Sequence, residues 1–221
     1  MKRLVIIVEG DTESEFVKKL LAPYLNRKGF YDIRAFKIKH SKGGLTKYKH
    51  LETDIINVIQ ETDVVVTTLI DYYALPPDFP RQEEAQKITD INKRVDFLEL
   101  SIKEAIESVQ KREFRNLFPY IQLHEFEALC FSSFKGFEDN FTEDEANYTE
   151  IKKIINAFNN PELINDGKET APSKRLKNLI TGYNKVVYGT VIIESNDIQS
   201  VIDKCPRFKQ WVERIIVHLS D

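Results

Sequence analysis

The chain has 221 residues, of which 42% are hydrophobic and 30% are charged, and its formal net charge is −3. This composition is globular and excludes a disordered or fibrous chain, and the length predicts one large domain with a substantial appendage. A chain so near neutrality also lacks the bulk positive charge of a protein that coats nucleic acid. Phosphate binding would therefore require a local basic patch or a metal ion.

The first apolar run, RLVIIV at 3–8, predicts a buried parallel strand, because it is short, β-branched and apolar throughout. It is too short for a signal peptide or a membrane span. The two cysteines, Cys130 and Cys205, are too few and too far apart for a disulfide framework or a cysteine zinc site. We therefore expect a reduced, soluble, cytoplasmic protein with no membrane partner.

Strand and helix patterns alternate along the first part of the chain, which indicates an α/β fold with a mainly parallel sheet and helices on both faces. The predicted strands span 3–8, 32–38, 63–70 and 116–123. The predicted helices span 11–26, 47–61, 84–112 and 124–131.

The pattern becomes helical after residue 137, with predicted helices at 148–158, 172–181, 197–203 and 207–218. The acidic segment 138–150 reads as a solvated loop and marks the one plausible boundary. We interpret 1–136 as an α/β core and 137–221 as a helical C-terminal extension that packs on this core.

A carboxylate follows three of the predicted strands: Glu9 after the first, Asp71 after the third and Glu125 after the last. Ligands of parallel sheets bind at the carboxyl ends of the strands, so these acids are expected to converge there. Each acid alone is more often a helix cap or a solvated loop residue. Together with Glu127 they favour a site for Mg²⁺ or Mn²⁺, because a cation would relieve their mutual repulsion.

The segment HEFEALCF at 124–131 resembles a zinc HExxH helix in its first two residues alone, since position 128 is Ala. Glu125 and Glu127 can point the same way if the chain is still extended there. Otherwise one faces the site and the other packs or caps a helix. His124 is interpreted as a hydrogen-bonded orienting residue.

Three basic features are candidates for phosphate contact, although each also has a plain structural interpretation. The segment 37–50 combines lysines with Gly43 and Gly44 and could be a solvated loop. Lys174 and Arg175 lie in the first turn of a predicted helix, where either a bound anion or a surface ion pair would account for them. Lys185, which follows Tyr183 and Asn184, is the third feature and the weakest. The residues assigned a supporting or phosphate-contact role are Gly10, His124, Lys42, Gly43, Gly44, Tyr73 and Lys185.

Five blocks spread over nearly the whole chain carry a family resemblance. They are VEGDTE (8–13), DYYALPPDFP (71–80), QLHEFEAL (122–129), INDGKETAPSKRL (164–176) and CPRFKQW (205–211). Together they resemble an uncharacterised prokaryotic family (domain of unknown function 4276) with a TOPRIM-like core. The TOPRIM fold is that of topoisomerases, primases and overcoming-lysogenisation-defect nucleases, so the resemblance implies a TOPRIM- or Rossmann-like sheet.

The resemblance implies that Glu9 acts as a general acid/base or metal ligand and that Asp71 holds Mg²⁺. The second aspartate of the TOPRIM pattern is replaced by Tyr73. Either Glu125 or Glu127 supplies the missing oxygen, or the site is weak or inactive. The family also resembles proteins encoded beside ATPases in phage-defence and mobile-element neighbourhoods, which implies an ATPase partner.

The sequence thus predicts a Mg²⁺-dependent phosphodiesterase or nuclease acting on DNA or RNA. Glu9, Asp71 and Glu125 or Glu127 would bind the metal, and Lys174 and Arg175 would offset charge on the phosphoryl oxygens. The alternative is an inactive TOPRIM-like module that binds an ATPase or nucleic acid. A third option is a toxin that cuts cellular RNA when its partner releases it.

Overall fold

The computed structural model describes residues 2–39, 44–165, 167 and 170–220. Within these residues, four strands form one all-parallel sheet in the order β2-β1-β3-β4. The strands are β1 (Arg3–Val8), β2 (Ile33–Lys37), β3 (Val64–Asp71) and β4 (Ile121–Gln122). The prediction of an α/β fold with a mainly parallel sheet is therefore confirmed.

The two central strands are the two continuous apolar runs of the sequence. β1 pairs with β2 through Leu4 and Ile33 and with β3 through Leu4 and Val65. Every residue of β3 is buried. Continuous burial of this kind is typical of a parallel strand whose two faces are both covered by helices.

The first part of the chain supplies helices to both faces of the sheet. These helices are α1 (Asp11–Phe16), α2 (Ala22–Asn26), α3 (Tyr48–Ile59), α4 (Gln82–Ala85) and α5 (Ile91–Gln110). A π-helical segment, Val17–Leu21, joins α1 to α2, and 3-10 helices span Tyr72–Ala74 and Phe126–Ser132. α3 and α5 contribute to the hydrophobic cluster on the face that presents Val5, Ile7 and Val66.

Three predicted elements of this region differ from the structure. The helix expected over 124–131 is the 3-10 helix Phe126–Ser132, because Glu125 still has an extended backbone. The single helix expected over 84–112 is divided, because the Asp90 side chain caps α5 by accepting a hydrogen bond from the Lys93 backbone N–H at 3.0 Å. The strand expected over 116–123 shrinks to the two residues of β4 and an isolated Val66–Leu117 bridge. Pro119 lies between these two pairings, and proline has no N–H to donate to a strand ladder.

The C-terminal part is helical within the described residues, as expected, and covers the opposite face. Its helices are α6 (Lys135–Glu138), α7 (Tyr148–Ala157), α8 (Pro172–Leu179), α9 (Lys185–Asn196), α10 (Ile198–Lys204) and α11 (Pro206–Ser220), with a 3-10 turn at Pro161–Leu163. Residues of α9, α10 and α11 share one hydrophobic cluster with Leu4 and Ile6 of β1. No helix in the described part of the chain is long and apolar enough to cross a membrane.

α9 was not predicted, although its contacts explain why it forms. Its sequence is rich in β-branched residues, and Ile192 and Ile193 are both fully buried, so no amphipathic period is visible. Gly189 allows a close approach to α1, since a Cβ at this position would lie 3.2 Å from the Thr12 side chain. Packing against α1 therefore overrides the weak local preference for a helix.

Candidate functional site

The candidate site lies at the carboxyl edge of the sheet, between β1 and β3. The chain leaves β1 toward β2 on one side and reaches β3 on the other, so this position is the topological switch point where ligands of parallel sheets bind. Glu9 follows β1 directly, and Asp71 is the last residue of β3. Glu9 Oε2 accepts a hydrogen bond from the Asp71 backbone N–H at 3.2 Å, so the two predicted acids are adjacent.

Asp71 is buried, and each of its two carboxylate oxygens has a partner. Its Oδ1 accepts a hydrogen bond of 2.8 Å from the backbone N–H of Phe126, the first residue of a 3-10 helix. Its Oδ2 lies 3.8 Å from Nζ of Lys185. The end of β3 thereby fixes the start of the 3-10 helix that Glu125 precedes and that contains Glu127.

Glu125 and Glu127 point to different partners. Glu127 is fully buried, and its Oε1 forms an ion pair of 2.9 Å with Lys185 Nζ. Glu125 Oε2 instead accepts a hydrogen bond of 2.8 Å from the backbone N–H of Ser173 in the first turn of α8. Of the arrangements that the sequence left open, the structure shows one acid in the cluster and one at a helix start.

Lys185 is the cation at the centre of these acids. Its ammonium lies 2.9 Å from Glu127, 3.8 Å from Asp71 and 3.9 Å from Glu13. It is the first residue of α9, so the C-terminal region supplies the positive charge for carboxylates of the sheet edge. The sequence ranked Lys185 as the weakest phosphate contact, whereas the structure places it among the acids.

Glu13 is a member of this cluster that the sequence analysis missed. It is 3% exposed, and a Cβ built on Gly10 would lie 3.0 Å from its Oε2, so glycine makes room for the carboxylate. A usable signal existed in the sequence. Glu13 precedes Phe16 and Val17 by three and four residues, which places it on the buried face of the helix.

The electrostatics of the cluster reflect its burial. Burial raises the pKa of Glu9 to about 7; the charges of Glu13 and Glu127 also raise it, while the Asp71 N–H and Lys185 oppose the shift. Burial likewise raises the pKa of Asp71 and of Glu127, with Lys185 opposing it in both. We name the cluster of Glu9, Glu13, Asp71 and Glu127 the carboxylate cluster.

Lys185 stays protonated within the carboxylate cluster. Burial lowers the pKa of its ammonium, but the charges of Asp71, Glu127 and Glu13 outweigh that effect and raise the pKa overall. One ammonium therefore faces several carboxyl groups. Negative charge remains in excess when all of them are ionised.

The donor chemistry of the carboxylate cluster fits a hard divalent cation, because Mg²⁺ and Mn²⁺ prefer carboxylate oxygens. Glu127 Oε2 is buried and has no hydrogen-bond partner among the described residues, so it is available as a ligand. In the present arrangement, however, no group of three or more His, Cys, Asp or Glu side chains in the described ranges is placed to hold one ion. Ligation by Glu9, Asp71, Glu125 and Glu127 accordingly stays a prediction.

Gly44, within the basic segment 37–50, lies close to the carboxylate cluster. Gly44 has φ +131°, and a Cβ at this position would lie 3.5 Å from Glu9 Oε1. Lys42 and Gly43, which were predicted to contact phosphate, lie outside the described residues.

Tyr73 and His124 lie together beside the carboxylate cluster. The Tyr73 backbone N–H donates to the His124 carbonyl at 3.1 Å, and the two ring centroids are 5.2 Å apart. Burial lowers the pKa of His124 to about 4, so its ring is neutral. The hydrogen bond expected of this side chain is not seen at Nδ1, which has no partner among the described residues.

Lys174 and Arg175 diverge, although they are neighbours in α8. Lys174 lines a cavity of about 470 Å³ together with Tyr73, Glu125 and Ala171. Arg175 Nε donates a hydrogen bond of 2.7 Å to the Thr170 carbonyl, and its guanidinium lies 5.9 Å from the centre of the Phe158 ring.

The fold and the site define an all-parallel α/β protein with buried carboxylates at its topological switch point. The family model named Domain of unknown function (DUF4276) matches residues 8–216, so the chain belongs to this family, as its sequence blocks predicted. Comparisons with curated proteins and with solved structures give no significant match.

Proposed function

We propose that this protein is a Mg²⁺- or Mn²⁺-dependent phosphodiesterase of TOPRIM type that hydrolyses nucleic acid. The observation that carries the proposal is the convergence of Glu9, Glu13, Asp71 and Glu127 at the switch point around Lys185. Four ionised carboxylates and one ammonium leave a net charge that a divalent ion would largely neutralise. Buried like charges repel strongly unless such a cation is present.

A bound divalent ion would polarise a phosphoryl oxygen and lower the pKa of a coordinated water. Glu9, Asp71 and Glu127 are the residues that would hold it. Glu9 Oε1 is the oxygen not used by the Asp71 N–H, so it is the one that would accept a proton from a coordinated water. Lys174, on the adjacent cavity wall, would attract the phosphate.

The proposal of a TOPRIM type rests on the acid after β1 and the acid that ends β3, and Tyr73 departs from that pattern in place of its second aspartate. Glu127 is the better candidate to replace the missing aspartate, because it contacts the same ammonium, Lys185, as Asp71 does. Glu125 is the weaker replacement, because its Oε2 is already bonded to the start of α8.

The test is cleavage of single-stranded DNA, double-stranded DNA and RNA in Mg²⁺ or Mn²⁺. We expect Glu9→Gln and Asp71→Asn each to lower the rate by about 10²- to 10³-fold, as the loss of a preorganised electrostatic contact does. Glu99→Gln is the matched control, since Glu99 is also a buried carboxyl with a pKa raised to about 7 but contacts Arg207 instead of the cluster. Cleavage by both site variants at the wild-type rate would contradict the proposal.

A second candidate is a catalytically inactive module that binds an ATPase or nucleic acid in phage or mobile-element defence. Lys185 favours it, because its ammonium already lies where a cation would sit. Calorimetric titration with Mn²⁺ separates the two candidates. The inactive module predicts no Mn²⁺ binding that is lost in Glu9→Gln, whereas the phosphodiesterase predicts such binding.

A further inference from the structure

A cavity of about 470 Å³ opens next to the carboxylate cluster, lined by Tyr73, Glu125, Ala171 and Lys174. Tyr73 follows Asp71 by two residues, and Glu125 precedes Glu127 by two, so the cavity and the cluster are built from the same two segments. The volume falls in the range of sites that enclose small ligands.

The Tyr73 ring is available to a ligand in this cavity. The residue is 43% exposed, and its hydroxyl is held by a hydrogen bond from the Asn165 side-chain amide. The His124 ring lies against it at a centroid distance of 5.2 Å, tilted by 50°. An aromatic ring held in this way is a platform on which nucleobases stack.

The two charged residues of the cavity have complementary uses. Glu125 Oε2 accepts the Ser173 N–H, which leaves Oε1 to accept from a ligand, as carboxylates accept from the amino group of cytosine. Lys174 is exposed on the same wall, where an ammonium can contact a backbone phosphate.

We propose that this cavity receives the nucleobase next to the reacting phosphate, stacked on Tyr73. Glu125 Oε1 selects bases with an exocyclic amino group over thymine or uracil. This inference rests on the proposed function, since it takes the carboxylate cluster as the place where the phosphate binds.

The experiment measures binding of fluorescein-labelled oligo(dC) and oligo(dT), each of about six nucleotides, by fluorescence anisotropy in Ca²⁺, a hard cation that also takes oxygen ligands. We expect Tyr73→Ala to weaken oligo(dC) binding about tenfold or more and Tyr73→Phe to weaken it less than about twofold, because Phe keeps the stacking ring. Tyr31→Ala is the matched control: Tyr31 is 66% exposed and precedes β2, at the amino edge of the sheet. It should bind like the wild type.

The wild type is also expected to bind oligo(dC) several-fold more tightly than oligo(dT), because Glu125 Oε1 accepts a hydrogen bond from the amino group of cytosine. Equal affinity for the two oligonucleotides overturns the role of Glu125. Wild-type affinity in Tyr73→Ala, an equal loss in Tyr73→Phe, or no binding of either oligonucleotide overturns the stacking cavity.

The same variants separate this inference from the proposed function. Cleavage in Mg²⁺ by a wild type whose binding does not depend on Tyr73 would remove the cavity proposal and leave the phosphodiesterase. Binding that depends on Tyr73 without any cleavage would retain the cavity and remove the hydrolysis.

Discussion

The carboxylate cluster resembles a second buried acidic group, in which Glu99 and Glu162 lie near Arg207, but the two regions satisfy their charges differently. Glu162 accepts hydrogen bonds from the backbone N–H groups of Arg207 and Phe208 at 2.9 and 3.1 Å. Glu99 Oε1 accepts from Ile121 N at 2.9 Å and from Arg207 at 2.7 Å. These acids anchor the start of α11 to the sheet and to α5.

The carboxylate cluster has fewer donors for its buried oxygens. Glu127 depends on Lys185, and its Oε2 has no hydrogen-bond partner in the described part of the chain. Buried polar atoms are almost always paired, so an unpaired carboxylate oxygen calls for a functional explanation. Burial of acids alone therefore does not identify a site, and the unpaired Glu127 oxygen is what distinguishes the carboxylate cluster from the acids around Arg207.

The largest expected effect is on the group of Glu99, Glu162 and Arg207. Arg207→Met should lower the free energy of unfolding by about 3–5 kcal/mol, because it leaves Glu99 buried without its cation. The Arg207 side chain is only 10% exposed, so water cannot replace it. Urea unfolding measures the change. Arg34→Met is the control, since the exposed pair of Arg34 with Asp32 should contribute far less to stability, and an equal loss in both variants would refute the distinction.

An intermediate effect is expected in the dependence of stability on pH. Burial raises the pKa of both Glu9 and Glu99 to about 7 from an ordinary value of 4.5. The folded state therefore binds more protons than the unfolded state between these values, and stability falls as pH rises from about 4.5 to about 7. Glu9→Gln and Glu99→Gln should each reduce this loss of unfolding free energy between pH 4.5 and pH 7, by on the order of 1–3 kcal/mol per variant.

Added Mg²⁺ should distinguish the contribution of Glu9 to the pH dependence of stability from that of Glu99. An ion held by the carboxylate cluster keeps Glu9 ionised, so it should reduce the Glu9 part of the slope and leave the Glu99 part unchanged. The measurement is thermal unfolding at pH 5 and pH 8 with and without Mg²⁺. If Mg²⁺ leaves the pH dependence of stability unchanged in both the wild type and Glu99→Gln, a metal role for Glu9 is contradicted.

The smallest effect is expected from Lys185→Met. Without a divalent ion the variant should lose about 1 kcal/mol of stability, less than Arg207→Met, because the Lys185 side chain is 40% exposed. Mg²⁺ should then raise the unfolding temperature of the variant more than that of the wild type, since the ammonium no longer competes for the same carboxylates. Lys153→Met, which alters an exposed pair with Glu150, should show no such dependence on Mg²⁺.

The sheet and its acids were predictable because local patterns determine them. β1 and β3 are buried on both faces and therefore read as continuous apolar runs, and each run ends in the acid that the structure places at the switch point. The adjacency of Glu9 and Asp71 follows from parallel pairing alone.

The rest of the site depends on tertiary contacts that no local pattern encodes. α9 has no amphipathic period, so neither the helix nor the placement of Lys185 at its start was visible. Whether Glu125 or Glu127 turns toward Asp71 is decided by the hydrogen bond from Phe126 to Asp71, which fixes where the 3-10 helix begins. Glu13 carried a signal in its spacing to Phe16, but acids in a first helical turn are usually explained by the helix dipole.

The position of Lys185 at the start of α9 has a consequence for biosynthesis. A ribosome releases Glu13, Asp71 and Glu127 before it releases the lysine that pairs with them, so the nascent sheet edge carries these acids without their counter-charge. The contact of α9 with α1 therefore brings the counter-charge to the sheet edge and joins that edge to the C-terminal helices.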